Sequence, residues 1–154
     1  SFSDEINENG IRVNSICIKP NNSRDIINVE TGFDIEFEME NHNISKTITC
    51  GIVVTDGQLI RLFEIPCFLF SNKDSKKGIF LIKAAVPPYL LNSGIYNFNF
   101  VVAESQKHVL YKRENIISVE IEDTSFNKGK NLNRPQGILR PNITCDAIFK
   151  DEII

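Results

Sequence analysis

At 154 residues the chain has the length of one domain, long enough to bury about 70% of the surface its unfolded form exposes. Its 42% hydrophobic and 24% charged residues exclude bulk disorder. A net charge of −3, with no stretch dense in Lys or Arg, excludes the basic track that nucleic acid needs, and the longest apolar stretch, residues 65–70, contains Pro66 and falls far short of the roughly 18 residues that cross a bilayer.

Residues 1–9 are polar and acidic and read as the end of a linker, leaving residues 10–154 as a single domain. The start has no basic segment followed by an apolar run and a cleavage site, so a signal peptide is read as either absent or already removed. Opening at Ser1 without Met, the sequence reads as a piece of something longer.

From there the pattern has a period of two, which sends successive side chains to opposite faces of a strand. Residues 11–18 form the first strand. In residues 33–40, Phe33, Ile35, Phe37 and Met39 share one face and Asp34, Glu36, Glu38 and Glu40 the other, the pattern of a half-buried antiparallel strand. Residues 47–55 turn Ile48, Cys50, Ile52 and Val54 inward and then meet Asp56-Gly57, a two-residue hairpin signal, with the return expected over 59–65.

Residues 79–86 and 95–103 are expected to pair, parted by Pro87-Pro88, which lack ladder donors, and by Ser93-Gly94. Tyr96, Phe98, Phe100 and Val102 form the heaviest inward stripe. Residues 109–112 and 116–122 read as a closing hairpin, bringing the count to about eight strands. The fold class is therefore all-β, an antiparallel sandwich of immunoglobulin-like or jelly-roll type. Residues 123–134 form a polar stretch containing Lys128-Gly129-Lys130, and a tail to Ile154 regains apolar residues at Ile143, Ile148 and Phe149. That tail, over 141–154, is expected to dock on this sandwich or exchange with a neighbouring copy.

Signals for chemistry are sparse. Cys17, Cys50, Cys67 and Cys145 are far apart and without metal spacing; Cys50, in phase with the core stripe, reads as a reduced core thiol, which points to a cytoplasmic home. No metal and no cofactor is expected. The two histidines, His42 and His108, lie at turns, and Lys128-Gly129-Lys130 lacks the rest of a phosphate loop. Asp34, Glu36, Glu38 and Glu40 could space a glycosidase pair, but four in alternation mark a solvated sheet surface. No enzyme activity is expected.

A binding surface reads better. Asn is depleted in strands, so Asn97 and Asn99, opposite the core stripe, call for a reason, and Lys83 on a strand expected to lie beside them could share their face. Arg61 and Tyr111 would flank it. Planar amides, guanidinium and an aromatic ring are the groups that hold a sugar.

Three stretches carry a family resemblance: Val29-Glu30-Thr31-Gly32-Phe33-Asp34-Ile35-Glu36-Phe37, Gly51-Ile52-Val53-Val54-Thr55-Asp56-Gly57, and the run from Gly78 to Phe100 with Val86-Pro87, Leu90-Leu91 and Gly94-Ile95-Tyr96. In order and spacing they resemble the carbohydrate-binding C-terminal domain of Wzt, the ATPase subunit of bacterial polysaccharide exporters, over residues 11–121. The resemblance implies recognition of the modified non-reducing terminus of an O-antigen-type polysaccharide before export. It also implies an attached ATPase domain, a Wzm-like membrane subunit, a homodimer, and a place at the cytoplasmic face of the bacterial inner membrane. The chain departs from the full-length pattern in having no Walker motif, and family ligand residues do not transfer by motif. The alternative is a structural or protein-interaction sandwich of adhesin or periplasmic type.

Overall fold

A computed structural model describes residues 4–22, 25–44, 46–68, 75–105, 107–123, 135–150 and 153. The Lys128-Gly129-Lys130 loop and residues 69–70 lie outside the described residues. Seven strands follow in order: β1 (Ile11–Pro20), β2 (Phe33–Asn41), β3 (Ile48–Thr55), β4 (Arg61–Phe68), β5 (Gly78–Val86), β6 (Gly94–Glu104) and β7 (His108–Ile121). They form two antiparallel sheets, β1-β2-β5 and β4-β3-β6-β7. Consecutive strands change sheet between β2 and β3, β4 and β5, and β5 and β6, which is the immunoglobulin-like arrangement and settles the choice against a jelly roll.

The inward stripes of the sequence meet as expected. Phe37 of β2 stacks on Phe100 of β6 with centroids 4.6 Å apart, and Phe33 meets Phe98 edge-on at 6.1 Å. Ile35, Phe37, Met39, Val54, Phe98, Phe100 and Val102 are fully buried between the sheets. Gly32, just before β2, has φ +63°, and a Cβ there would come within 2.6 Å of the Val86 carbonyl oxygen, so only glycine lets β2 start against the end of β5.

Three expectations are corrected. The closing hairpin is one long strand, β7, so the count is seven rather than about eight among the described residues. Opposite Asn99 the register jumps from Phe98↔Ile117 to Phe100↔Arg113, and Asn115, at φ 51°, bulges out without ending the ladder. The Asp56-Gly57 turn is longer than two residues: Asp56 Oδ1 accepts from the N–H groups of Gln58 and Ile60, both at 2.9 Å, and the positive φ falls on Leu59. An aspartate side chain organises the loop where a tight turn would have needed glycine to do so.

The expected pairing of the fifth and sixth strands does not occur: β5 pairs with β2, while β6 pairs with β3 and β7. Pro87 and Pro88 stop the ladder, and the segment after them carries the chain across the gap of about 10 Å between sheets. In the tail no strand is assigned among the described residues. Residues 135–140 lie antiparallel to 90–92 through Asn92 N to Ile138 O (2.7 Å) and Arg140 N to Leu90 O (3.0 Å). Beyond them residues 141–150 are exposed.

Residues 4–9 lie along the edge between β1 and β7. Asn7 and Asn9 donate side-chain N–H groups to Leu110 O at 2.8 and 3.1 Å, and Asp4 accepts from the Tyr111 hydroxyl at 3.0 Å and from Arg113. No helix among the described residues is long and apolar enough to cross a membrane.

Candidate functional site

The outer face of the smaller sheet is a ladder of ion pairs. Asp34 meets Lys83 at 3.1 Å, Glu36 meets Lys19 at 2.7 Å, Glu38 accepts from Asn14 at 3.1 Å, and Glu40 pairs with Arg12 and with His42. His42, and then Arg12, hold the Glu40 carboxyl below its ordinary value. The outward placement of these carboxylates is as read, but their partners cover them, leaving the Asp34, Glu36 and Glu40 side chains 15–18% exposed. The ladder also accounts for Lys83, which lies on β5 in this sheet, while Asn97 and Asn99 belong to the other. The expected Lys83–Asn97–Asn99 surface is therefore split between the two outsides of the sandwich.

The larger sheet carries an open groove of about 790 Å³ across all four of its strands. Its floor is made by the outward positions of the two central strands: Gly51 and Val53 from β3, Val101 and Ala103 from β6. Arg61, Glu64 and Pro66 of β4 form one bank, and Val109 and Lys112 of β7 the other. Val53, though on the outer face, is only 4% exposed, so its own side chain is covered by its neighbours. Lys112 reaches Glu114 at 3.2 Å, whereas Arg61 and Glu64 have no ion-pair partner among the described residues.

Of the five residues singled out in the sequence, Arg61 stands on the groove. Asn97 and Asn99 continue the floor beyond Val101, but their carbonyls are occupied: Asn97 Oδ1 accepts from Ser118 Oγ at 2.6 Å, and Asn99 Oδ1 accepts from the Asn115 N–H at 2.7 Å. Tyr111 faces inward, packed at 6.1 Å against Phe100 and only 6% exposed. A register shift between Val102 and Ala103 inserts Leu110, so that Lys112 points out and Tyr111 in. Desolvation raises the Tyr111 pKa, as a buried phenol requires.

Sequence reasoning missed Gly51, Val53, Glu64, Val101, Ala103 and Lys112. A signal existed in β6, whose outward positions run Asn97, Asn99, Val101, Ala103 and turn apolar halfway along a face that should be wet. A glycine in the middle of β3 was the second.

Two sheets of three and four antiparallel strands, with a groove on the outside of the larger, define an immunoglobulin-like β-sandwich. Neither protein-family models nor curated proteins give a match. Among solved structures the fold is similar to the C-terminal domain of Wzt, with a TM-score of 0.69 at 14% identity over 90% of this chain and 84% of that one. Northeast Structural Genomics Consortium target SoR45 aligns over 84% of this chain and 95% of its own at 11% identity, with a TM-score of 0.39. The likeness to the C-terminal domain of Wzt is one of fold.

Proposed function

We propose that this chain is a non-catalytic carbohydrate-binding module whose groove on the β4-β3-β6-β7 sheet receives the modified non-reducing terminus of an O-antigen-type polysaccharide. One observation carries the reading: an apolar floor of Gly51, Val53, Val101 and Ala103, banked by Arg61 and Glu64, which have no ion-pair partner among the described residues. A pyranose has an apolar C–H face and a rim of hydroxyls, and such a groove offers contact to the first and hydrogen bonds to the second. The carboxylates on β2 are engaged by Lys83, Lys19, Asn14, Arg12 and His42 on the far side of the sandwich, so no acid–base pair is assigned to the site from them.

The fold shared with the C-terminal domain of Wzt supports the setting. In this reading the chain works beside an ATPase domain and a Wzm-like membrane subunit, at the cytoplasmic face of the inner membrane, and selects the polysaccharide for export. It does so as a homodimer, with residues 141–154 docking on the partner copy as an exchanged strand. Ile143, Ile148 and Phe149, exposed by 80%, 84% and 79%, and the unpaired edge of β5 support that assembly. The exposed tail is also what favours a protein-interaction sandwich as the second reading.

Titration calorimetry with purified O-antigen-type polysaccharide separates the two. Wild type should bind with Kd of about 10⁻⁶ to 10⁻³ M, as wet polar sites do. Val101→Asp, which puts a charge on the floor, should weaken binding at least about tenfold with the fold intact, while Lys83→Ala on the opposite sheet should leave it unchanged. No binding by wild type, or the reverse pattern in the two variants, sinks the assignment.

A further inference from the structure

We infer that Glu64 sets the specificity of the groove, and that the saccharide lying over Gly51 is neutral, with two adjacent hydroxyls turned toward that carboxylate. The inference rests on the groove reading above and adds the chemical class of the ligand.

Glycine weakens a central strand, having no side chain to pack and the largest entropy to lose. Gly51 has no positive φ to excuse it. The reason is space: a Cβ built there would lie 2.5 Å from Glu64 Oε1 and 3.4 Å from its Cδ. The Glu64 carboxylate thus lies flat on the groove floor, in the place where any other residue of β3 would put its side chain. Val53 stands directly opposite Glu64 in the β3–β4 register, and Val101 is opposite Gly51 across β6, so apolar side chains flank the carboxylate.

A side chain carried by an exposed strand is ordinarily free to point into water. This one, while still exposed to water, is laid across Gly51, and among the described residues no donor meets it. Arg61, on the same strand and the same face, is likewise without a partner. The pair is therefore available to a ligand: two carboxylate oxygens to accept from two neighbouring hydroxyls, and a guanidinium to donate to a ring, hydroxyl or acyl oxygen. Lys112, the other cation of the groove, is engaged by Glu114 at 3.2 Å, which leaves the centre of the floor under the Glu64 charge. A uronate or phosphate placed there would meet a like charge at close range.

The test is a panel of neutral bacterial oligosaccharides and of oligosaccharides bearing uronic acid or phosphate, titrated into the whole chain. Binding is read from the amide shifts of Gly51, Val53 and Val101 and from Kd. Wild type should bind neutral members and exclude acidic ones. Glu64→Gln should weaken the neutral ligands by about tenfold or more, the effect of losing charge-assisted hydrogen bonds, and should admit acidic members. Gly51→Ala, which displaces the carboxylate without removing it, should give a similar loss, with the thermal midpoint measured to show that the fold persists. Preference of wild type for acidic glycans, or unchanged binding in Glu64→Gln, overturns the inference. If Val101→Asp still abolishes binding in that case, the groove stands and only the role of Glu64 falls. If no panel member binds, or Val101→Asp changes nothing, both readings fail.

Discussion

Asn99 replaces something the ladder has lost. Three residues of β7 stand opposite it at the bulge, and its carbonyl takes the Asn115 N–H that would otherwise have no partner in β6. Asn97 does a related service by accepting from Ser118 and by reaching the Asp56 carbonyl at 3.4 Å. The sequence flagged both residues correctly as needing a reason, and the reason found is local hydrogen bonding. Asp4 shows the same economy with charge. Arg113 above all, helped by the Tyr111 hydroxyl, holds its carboxyl below the ordinary value of 3.8. A carboxylate lowered on folding stabilises the folded state above its unfolded pKa and loses that effect as pH falls through the lowered value. Residues 4–9 should therefore stay clasped at neutral pH and loosen only below about pH 3.8. Carboxyl-detected NMR should show Arg113→Ala moving the Asp4 titration upward; an unmoved titration would remove the guanidinium as its cause.

Single side chains also decide how whole elements attach. Asn92 is 0% exposed and ties residues 135–140 to the body: its Nδ2 donates to Pro135 O at 2.8 Å and Gly137 O at 2.7 Å, and its Oδ1 accepts from Ser93 N and from Arg140. Arg140 goes on to Asp123 at 3.1 Å. Asn92→Ala removes these bonds at once and should destabilise the domain by about 2–4 kcal/mol, read from the urea midpoint. It should also raise the mobility of 135–140 in heteronuclear relaxation, and a stability change without that mobility would contradict the clamp. Nothing in the sequence around Asn92 announces this role, because the Pro135, Gly137 and Arg140 that it holds lie more than 40 positions away along the chain.

In the whole molecule, ring packing from β2 to β6 joins the two sheets, and their outer faces differ in kind. The smaller sheet wears a paired charge ladder, whose members are satisfied by one another. The larger sheet has the apolar floor with Arg61 and Glu64, unpaired among the described residues, so ligand recognition is argued there. The tail belongs to this scale too. Cutting the chain after residue 140 keeps the Asn92 clamp and removes Ile143, Ile148 and Phe149. Sedimentation should then show the homodimer proposed above replaced by monomer, with little loss of thermal stability; a truncated chain that remains dimeric would exclude the strand exchange.

The sequence by itself determined which residues turn inward, because alternation is a local property of an extended chain: the Phe33–Met39 and Tyr96–Val102 stripes are buried as read. It also marked most strand limits, through Pro87-Pro88 and the loop after Thr55. What alternation does not encode is which strand lies beside which, and that alone placed Lys83 on the opposite side from Asn97 and Asn99. Bulges were equally hidden, since one inserted residue reverses every side chain after it, and it turned Tyr111 into the core and Lys112 onto the groove. The groove itself exists only where four strands from distant parts of the chain lie side by side, so its floor was settled by sheet order and not by any one segment.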